Sequence, residues 1–264
     1  MRRVLGPVVL AFAAALALGI GVRAQEPKPE FLLVYQEHVK PSMVQQYEEA
    51  GREFVAALAA AKVDSPSFDT YAMQTTDFTY LYMTPLDSLA ALETIHKDWT
   101  ALAEKLGKEK MKAMMEKGAP AMESADQYVA LKEPDLSFCP AEPRLKPGEA
   151  GYYVNDYLYV IPGKEEEFRT AAKQVADFMK KKGLHNGYTV WSLVFGDQMP
   201  LFVVVQPGKD AVDWTAQDAQ DWTSLGPEGQ GLIQRATALC RKVERHVGNT
   251  RPDLAYHPQG RKMG

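Results

Sequence analysis

Two stretches of the chain alternate between apolar and polar residues in the manner of a strand: "FLLVYQEHV" from Phe31 and "YYVNDYLYV" from Tyr152. Their aromatic and β-branched residues support that prediction, and a proline stands two residues after each run. Behind each proline, apolar residues recur at steps of three and four, which predicts an amphipathic helix. Each stretch therefore begins a strand–helix pair.

A hairpin is predicted after each of these helices. The hairpins turn at Thr76-Asp77 and at Gly196-Asp197, where polar residues or glycine interrupt runs of strand-forming side chains. A helical region and a last extended segment, around Tyr128–Leu131 or His246–Asn249, complete both series. The order β-α-β-β-α-β is that of the ferredoxin-like split unit.

The chain contains this unit twice, because three pairs of similar segments occur in the same order. "VKPSMVQQYEEAGREFV" and "VIPGKEEEFRTAAKQVA" are offset by 121 residues, "DWTAL" and "DWTSL" by 123, and "PDLSFCP" and "PDLAYHP" by 118. The repeated Asp-Trp-Thr motif could belong to an active site or to the packing of the structural core. Its polar neighbours differ between the copies, so we interpret it as a packing anchor near a helix start.

The similar segments divide the chain into two repeats, residues 31–140 and 151–258. Between them, residues 141–150 are rich in Pro, Gly and polar residues, which is typical of a linker. Residues 1–24 combine a basic start, a short apolar stretch and small residues before Gln25, which predicts a cleaved signal peptide. Residues 259–264 form a short basic tail, predicted to be flexible.

The predicted fold class is α+β, with two ferredoxin-like βαββαβ repeats forming a single-chain, pseudo-dimeric α+β barrel. A ferredoxin-like unit covers only one face of its sheet with helices, and the second copy can bury the other face. Two four-stranded sheets facing one another make an eight-stranded barrel, wide enough for side chains or one small ligand.

In the strand–proline entry, the long first helix, the hairpin and the duplication, the chain resembles the dimeric α+β barrel superfamily, including NIPSNAP-like and antibiotic biosynthesis monooxygenase-like proteins. The resemblance covers nearly all of the chain after residue 24. It implies a range of roles: cofactor-independent oxygenases, haem-degrading enzymes, chlorite dismutase-like haem proteins and exported proteins of unknown role. The fold alone does not choose among them.

The net charge and the predicted export limit the classes of partner that the protein is expected to bind. The whole chain has a formal charge of −4, and loss of the three arginines before residue 25 would leave 27 basic and 34 acidic residues, or −7. We therefore expect a periplasmic or secreted protein that binds neither nucleic acid nor, after signal cleavage, a membrane. It would be a monomer with an internal pseudo-two-fold axis or a higher oligomer of it. Whether Cys139 and Cys240 pair stays open.

The barrel lumen is the predicted place for a ligand, since barrel interiors commonly hold small molecules. Strand alternation divides each first strand into two faces. One face mixes amide, imidazole and phenol groups with apolar ones, and we assign that face to the lumen. The predicted ligand-binding residues are Gln36, His38, Asn155, Tyr157, Tyr159 and Trp191.

His38 is the candidate catalytic residue, as a general base or an axial haem ligand at the end of an inward-facing strand. The alternative is a strand-end histidine that hydrogen-bonds to a neighbour. No metal site is predicted, because the histidines lack the spacing of a ligand set and the methionine cluster from Met111 has the spacing of helix packing. No cofactor motif occurs.

The leading functional hypothesis is binding of a small apolar or aromatic molecule in the lumen. The alternatives are a cofactor-independent monooxygenase-like enzyme, which needs only an oriented, desolvated substrate and a base, and a haem-binding protein. Whether the protein is an enzyme stays open.

Overall fold

The computed structural model describes residues 29–146 and 148–258. The predicted signal peptide (1–24) and tail (259–264) lie outside these residues, so export stays a prediction. The strands are β1 (Phe31–Val39), β2 (Tyr71–Thr75), β3 (Thr79–Leu86), β4 (Met122–Lys132), β5 (Tyr152–Val160), β6 (Thr189–Phe195), β7 (Leu201–Gly208) and β8 (Cys240–Thr250). The α-helices are α1 (Val44–Ala60), α2 (Ala91–Leu106), α3 (Lys108–Gly118), α4 (Glu165–Lys182) and α5 (Ala211–Thr237).

The eight strands close into one barrel in the order β1-β3-β2-β8-β5-β7-β6-β4. Within each repeat the order is that of a ferredoxin-like sheet, and all neighbours are antiparallel. Two seams join the repeats, one between β2 and β8 and the other between β4 and β6. The predicted fold class, a pseudo-dimeric α+β barrel of two ferredoxin-like repeats, is confirmed.

The first strand of each repeat has the bounds that its alternating pattern predicted. The last strands are longer than predicted, since β4 begins at Met122 and β8 at Cys240. Cys240 is therefore the first residue of a strand. Both Cys139 and Cys240 are free thiols.

The seam between β2 and β8 depends on a glycine. A Cβ at Gly248 would lie 2.2 Å from the carbonyl oxygen of Gln74 on the neighbouring strand, closer than a side-chain carbon can approach. Glycine permits this approach because it has no Cβ. The absence of a side chain at position 248 therefore lets the two repeats pair directly.

The lumen is filled by side chains from both sheets. On the lumen face of the first sheet, Val34, Met73 and Leu81 form a buried cluster. On the lumen face of the second sheet, Tyr157 and Tyr159 pack with Leu193, Leu201 and Val203. Leu33 and Leu158, from the opposite faces of β1 and β5, pack toward the helices. The predicted division of strands β1 and β5 into lumen and helix faces is confirmed.

The helices cover the outside of the barrel. Helix α1 buries Tyr47, Ala50 and Leu58, and α4 buries Phe168 and Val175 among others, as their three- and four-residue spacing requires. Helix α5 is interrupted at Gly226, whose φ of 60° and ψ of −175° are not helical. No helix within residues 29–146 and 148–258 is long and apolar enough to cross a membrane.

Each repeat ends in a segment that packs against the other repeat. Leu136 and Phe138, which follow β4, join core clusters with the helices of the second repeat. Leu254 and Tyr256, which follow β8, join clusters of the first repeat, and the Tyr256 hydroxyl donates to the Val63 carbonyl at 2.6 Å. The repeated Pro-Asp-Leu segments are therefore exchanged between the two repeats.

An ion pair anchors each exchanged segment, and its polarity is reversed between the repeats. Arg251 contacts Glu48 of α1, whereas Glu133 accepts a hydrogen bond from Arg169 of α4 at 2.7 Å. Glu48 and Arg169 are equivalent at the 121-residue offset, and Glu133 and Arg251 at the 118-residue offset. The same contact is thus made twice with the charges interchanged.

The Asp-Trp-Thr motif lies within helices α2 and α5 rather than near their starts, so its predicted position was wrong. Trp99 is packed as expected, stacked on Phe54 with ring centroids 5.7 Å apart. Trp222 leaves 44% of its surface exposed, so the two tryptophans are not equivalent anchors. Asp98 accepts hydrogen bonds from the hydroxyls of Ser65 and Ser67.

Candidate functional site

Two cavities lie between the barrel and its helices, and not in the lumen that the sequence favoured. The first cavity, of about 570 Å³, is enclosed by the first sheet and helices α1 to α3, and its lining includes Glu37, Tyr47, Phe54, Tyr82, Trp99 and Met111. The second cavity, of about 400 Å³, lies beneath α4 and α5, and its lining includes Leu158, Phe168, Tyr188, Trp214, Asp221 and Trp222. The location differs because large side chains fill the lumen while the helices stand away from the sheet.

A chain of three polar side chains lies in the first cavity. Tyr47 of α1 donates its hydroxyl proton to a carboxylate oxygen of Glu37 on β1. The Tyr47 and Tyr82 hydroxyl oxygens are 2.9 Å apart. Because a hydroxyl carries one proton, Tyr47 can then accept the proton of Tyr82. Glu37 is the only acidic residue among the described residues that line this cavity.

The surroundings alter the acidity of this group of residues. Burial raises the pKa of Glu37, and the hydrogen bond from Tyr47 opposes part of that rise. Burial also raises the pKa of Tyr47 and of Tyr82. Both phenols therefore stay protonated as donors, while Glu37 is a stronger base than an exposed carboxylate. Perturbed carboxyl groups beside an apolar cavity are typical of proton-transfer sites.

The second cavity lacks this arrangement. At the positions equivalent to Glu37, Tyr47 and Tyr82 the second repeat has Leu158, Phe168 and Val204. The strand pairing supports the equivalence, because Glu37 pairs with Tyr80 as Leu158 pairs with Phe202. The two cavities therefore have different chemistry, because the second has no carboxylate at the position of Glu37.

Three predicted ligand-binding residues are packed in the lumen. Asn155, Tyr157 and Tyr159 are buried, and the Tyr157 hydroxyl lies 3.4 Å from that of Tyr128. Asn155 donates weakly to the sulfur of Met73 at 3.6 Å, and among the described residues its Oδ1 has no hydrogen-bond partner. None of the three lines the first or the second cavity, and their role in ligand binding stays a prediction.

His38 and Gln36 lie together near one end of the lumen. The His38 ring nitrogens are 3.1 Å from the Gln36 amide nitrogen and 3.0 Å from the Thr79 hydroxyl, and Asp126 lies 3.7 Å from Nε2. His38 therefore makes the hydrogen bonds to neighbouring side chains that the alternative interpretation, a strand-end histidine, predicts. Trp191 is in a third place, in a cavity of about 450 Å³ with Leu32 and Pro85.

A histidine-ligated haem does not fit the two cavities. None of the described residues that line the first or the second cavity is a histidine. His38, the candidate axial ligand, lies on a strand and bonds to Thr79; His246 lies on another strand, 3.5 Å from Asp77, and His185 is exposed in a loop. Within residues 29–146 and 148–258 no three His, Cys, Asp or Glu residues are grouped as a metal site.

Comparison with known proteins identifies the fold. No family model matches the chain, and no curated protein matches it, so a NIPSNAP-like relationship stays a prediction. A monooxygenase-like protein from Fusobacterium nucleatum superimposes with a TM-score of 0.51 at 13% identity, over 89% of this chain and 96% of the other. An anthrone oxidase-like protein gives 0.50 at 12% identity, over 86% and 92%. A chlorite dismutase variant from Candidatus Nitrospira defluvii gives 0.50 at 8% identity, over 85% and 92%.

The chain shares the fold of these proteins. At such low identity the likeness shows the architecture alone, and it assigns no activity. The residues of the first cavity must therefore carry any functional argument.

Proposed function

We propose that the first cavity binds a small, mostly apolar aromatic molecule with an acidic hydroxyl, and that Glu37 accepts a hydrogen bond or proton from that hydroxyl. The supporting observation is the Glu37–Tyr47–Tyr82 chain in a cavity otherwise rich in aromatic and methionine side chains. A largely apolar pocket with a few convergent polar groups is typical of ligand sites, and about 570 Å³ lies within their usual range.

The shape of the lining favours an aromatic ligand. Trp99 stacks on Phe54 and meets Phe68 edge-on at 5.2 Å, so flat ring faces already form part of the wall. Met111 and Met114 pack beside them, and methionine adapts its shape to aromatic surfaces. The carboxylate then selects a ligand that can donate a proton.

Calorimetry with 2-naphthol and 2-methoxynaphthalene tests this proposal, because the two differ in one donated proton. We expect 2-naphthol to bind about tenfold more tightly, since a hydrogen bond to a charged group adds affinity. Glu37→Gln should reduce the preference, because a neutral amide oxygen accepts a weaker hydrogen bond than a carboxylate, and the matched change Leu158→Met in the second cavity should not. Equal affinities for the two compounds in the wild-type protein would refute the proposal.

A cofactor-independent oxygenase is the second candidate. The raised pKa of Glu37 favours it, and monooxygenase-like and anthrone oxidase-like proteins share the fold. Glu37 would remove a proton from a methylene group held between two aromatic rings, and the carbanion would react with O₂. Overall the CH₂ group becomes a carbonyl with one oxygen atom, and the other leaves as water.

Oxygen uptake with anthrone separates this candidate from simple binding. Wild-type protein should consume O₂, and Glu37→Gln should lower the rate by about 10²-fold or more, the usual effect of losing a general base. Leu158→Met should retain the rate. A wild-type protein that binds 2-naphthol but consumes no O₂ with anthrone would remove the oxygenase and leave the binding proposal.

A further inference from the structure

The second cavity differs from the first in where its polar groups lie. Leu158, Phe168 and Val190 form an apolar floor. Charged and aromatic residues instead gather on the α5 side, where Trp214, Asp218, Asp221, Trp222 and Leu225 follow helical spacing and line the cavity. The cavity therefore has an apolar part and a polar part.

The arginines of the second cavity are already neutralised by protein carboxylates. Arg245 makes a two-pronged contact with Asp156 at 2.7 and 2.8 Å, and its guanidinium lies 5.2 Å from the Trp214 ring centre. Arg144 bonds to Asp213 at 2.8 Å. An anionic ligand would have to compete with these pairs, which makes an anion the less suitable occupant.

Two carboxylates of the cavity have no cationic side chain bonded to them. Asp221 accepts a hydrogen bond from the amide of Asn186 at 2.8 Å. Asp218 is exposed and accepts no hydrogen bond within residues 29–146 and 148–258, and the hydroxyl of Tyr188 makes none there either. Burial raises the pKa of both carboxyl groups, and the nearby charges of Arg245 at Asp218 and of Arg144 at Asp221 oppose only part of that rise.

The aromatic groups beside these carboxylates suit a cation. Arg245 over Trp214 shows that one indole face of this cavity already holds a positive group. The second indole, Trp222, is 44% exposed and lines the same cavity as Asp221. An ammonium ion at this position would meet two carboxylates and an indole, while an attached apolar group would reach the floor.

We propose that the second cavity is a separate binding site for a small hydrophobic amine, with the ammonium group at Asp218 and Asp221 and the apolar body over Leu158 and Phe168. This site is independent of the one proposed for the first cavity. The duplication would thus provide two sites that select ligands of different charge.

Three compounds of similar size test the proposal: 2-phenylethylammonium, 2-phenylethanol and phenylacetate. In calorimetry at pH 7 we expect the cation to bind about tenfold more tightly than the alcohol, and phenylacetate to bind more weakly still. Asp221→Asn and Asp218→Asn should each reduce the ratio, and the double change should bring it close to one. Asp98→Asn, the equivalent change in the first repeat, should leave it unaltered.

Two further results locate the cation. Trp222→Phe should remove most of the fluorescence change on binding, and Glu37→Gln should not change the affinity, which separates this site from the first cavity. Equal affinity of wild-type protein for cation and alcohol would overturn the proposal. So would a loss in Asp98→Asn as large as in Asp221→Asn, or displacement of the cation by 2-naphthol.

Discussion

Replacement of Glu48 by Gln tests the ion pair with Arg251, which anchors the exchanged segment after β8 to helix α1 of the first repeat. Hydrogen bonds from Arg251, and then from Tyr80, outweigh the effect of burial and lower the pKa of Glu48 from 4.5 to about 2. At 1.36 kcal/mol per pKa unit, a shift of this size corresponds to at most about 3 kcal/mol of stability at neutral pH. Only 17% of its side chain and 16% of that of Arg251 are exposed, so screening by water is modest.

The expected loss in Glu48→Gln is about 2 kcal/mol, because the amide oxygen can still accept hydrogen bonds from Arg251 and Tyr80. For a chain of this size that corresponds to a fall in Tm of about 4–8 °C. Since the folded pKa is lowered, the contribution is complete above the unfolded value of 4.5 and disappears as the pH falls toward 2. The two proteins should therefore differ at pH 7 and converge near pH 2.

Thermal unfolding followed by circular dichroism measures both effects, with Glu49→Gln as the control. Glu49 is the next residue of α1 and is exposed, and its carboxylate accepts a hydrogen bond from the side-chain amide of Gln45. If Glu48→Gln and Glu49→Gln have the same Tm at pH 7, or if the gap between Glu48→Gln and wild type persists undiminished at pH 2, the ion pair does not anchor the segment.

Two more predictions concern the seam and the thiols. Gly248→Ala should lower the urea-unfolding free energy by at least about 2 kcal/mol, because its Cβ would meet the Gln74 carbonyl. Gly231→Ala, with open space around it, should change it by less than about 1 kcal/mol, and equal losses would contradict the close approach. At pH 8 a thiol reagent should label exposed Cys139 quickly and Cys240 slowly, since burial raises the pKa of Cys240 to about 11; equal labelling rates would show that Cys240 is not protected.

The barrel could be predicted from the sequence because the first strand of each repeat is recognisable from its own residue pattern. Alternation followed by proline defined β1 and β5, and the duplication supplied the second sheet. The first halves of β4 and β8 were missed because "MESADQ" and "CRKVER" are polar and largely exposed. Pairing with the ends of β1 and β5 makes these residues strands, and single-sequence patterns do not record such pairing.

The candidate site was missed for a different physical reason. The mixed polar face of β1 was assigned to the lumen as the ligand-binding face, so Glu37, which lies on the other face, was not among the predicted site residues. Whether a cavity forms there depends on how far α1 and α2 stand from the sheet, which follows from tertiary packing. A usable signal did exist: Tyr47 and Glu37 have apolar counterparts, Phe168 and Leu158, in the other copy.

Fusion of the repeats explains why such differences could arise. In a symmetric homodimer every substitution appears in both cavities, so a carboxylate introduced in one is introduced in the other. In one chain each position varies independently, and Glu37 can face Tyr47 while Leu158 faces Phe168. The reversed ion pairs, Glu48 with Arg251 and Arg169 with Glu133, follow the same logic. In a homodimer both ion pairs would have the same polarity. In this chain the reversed polarity favours docking of each exchanged segment on the other repeat, because Glu133 docked on its own repeat would lie beside Glu48 and bring like charges together.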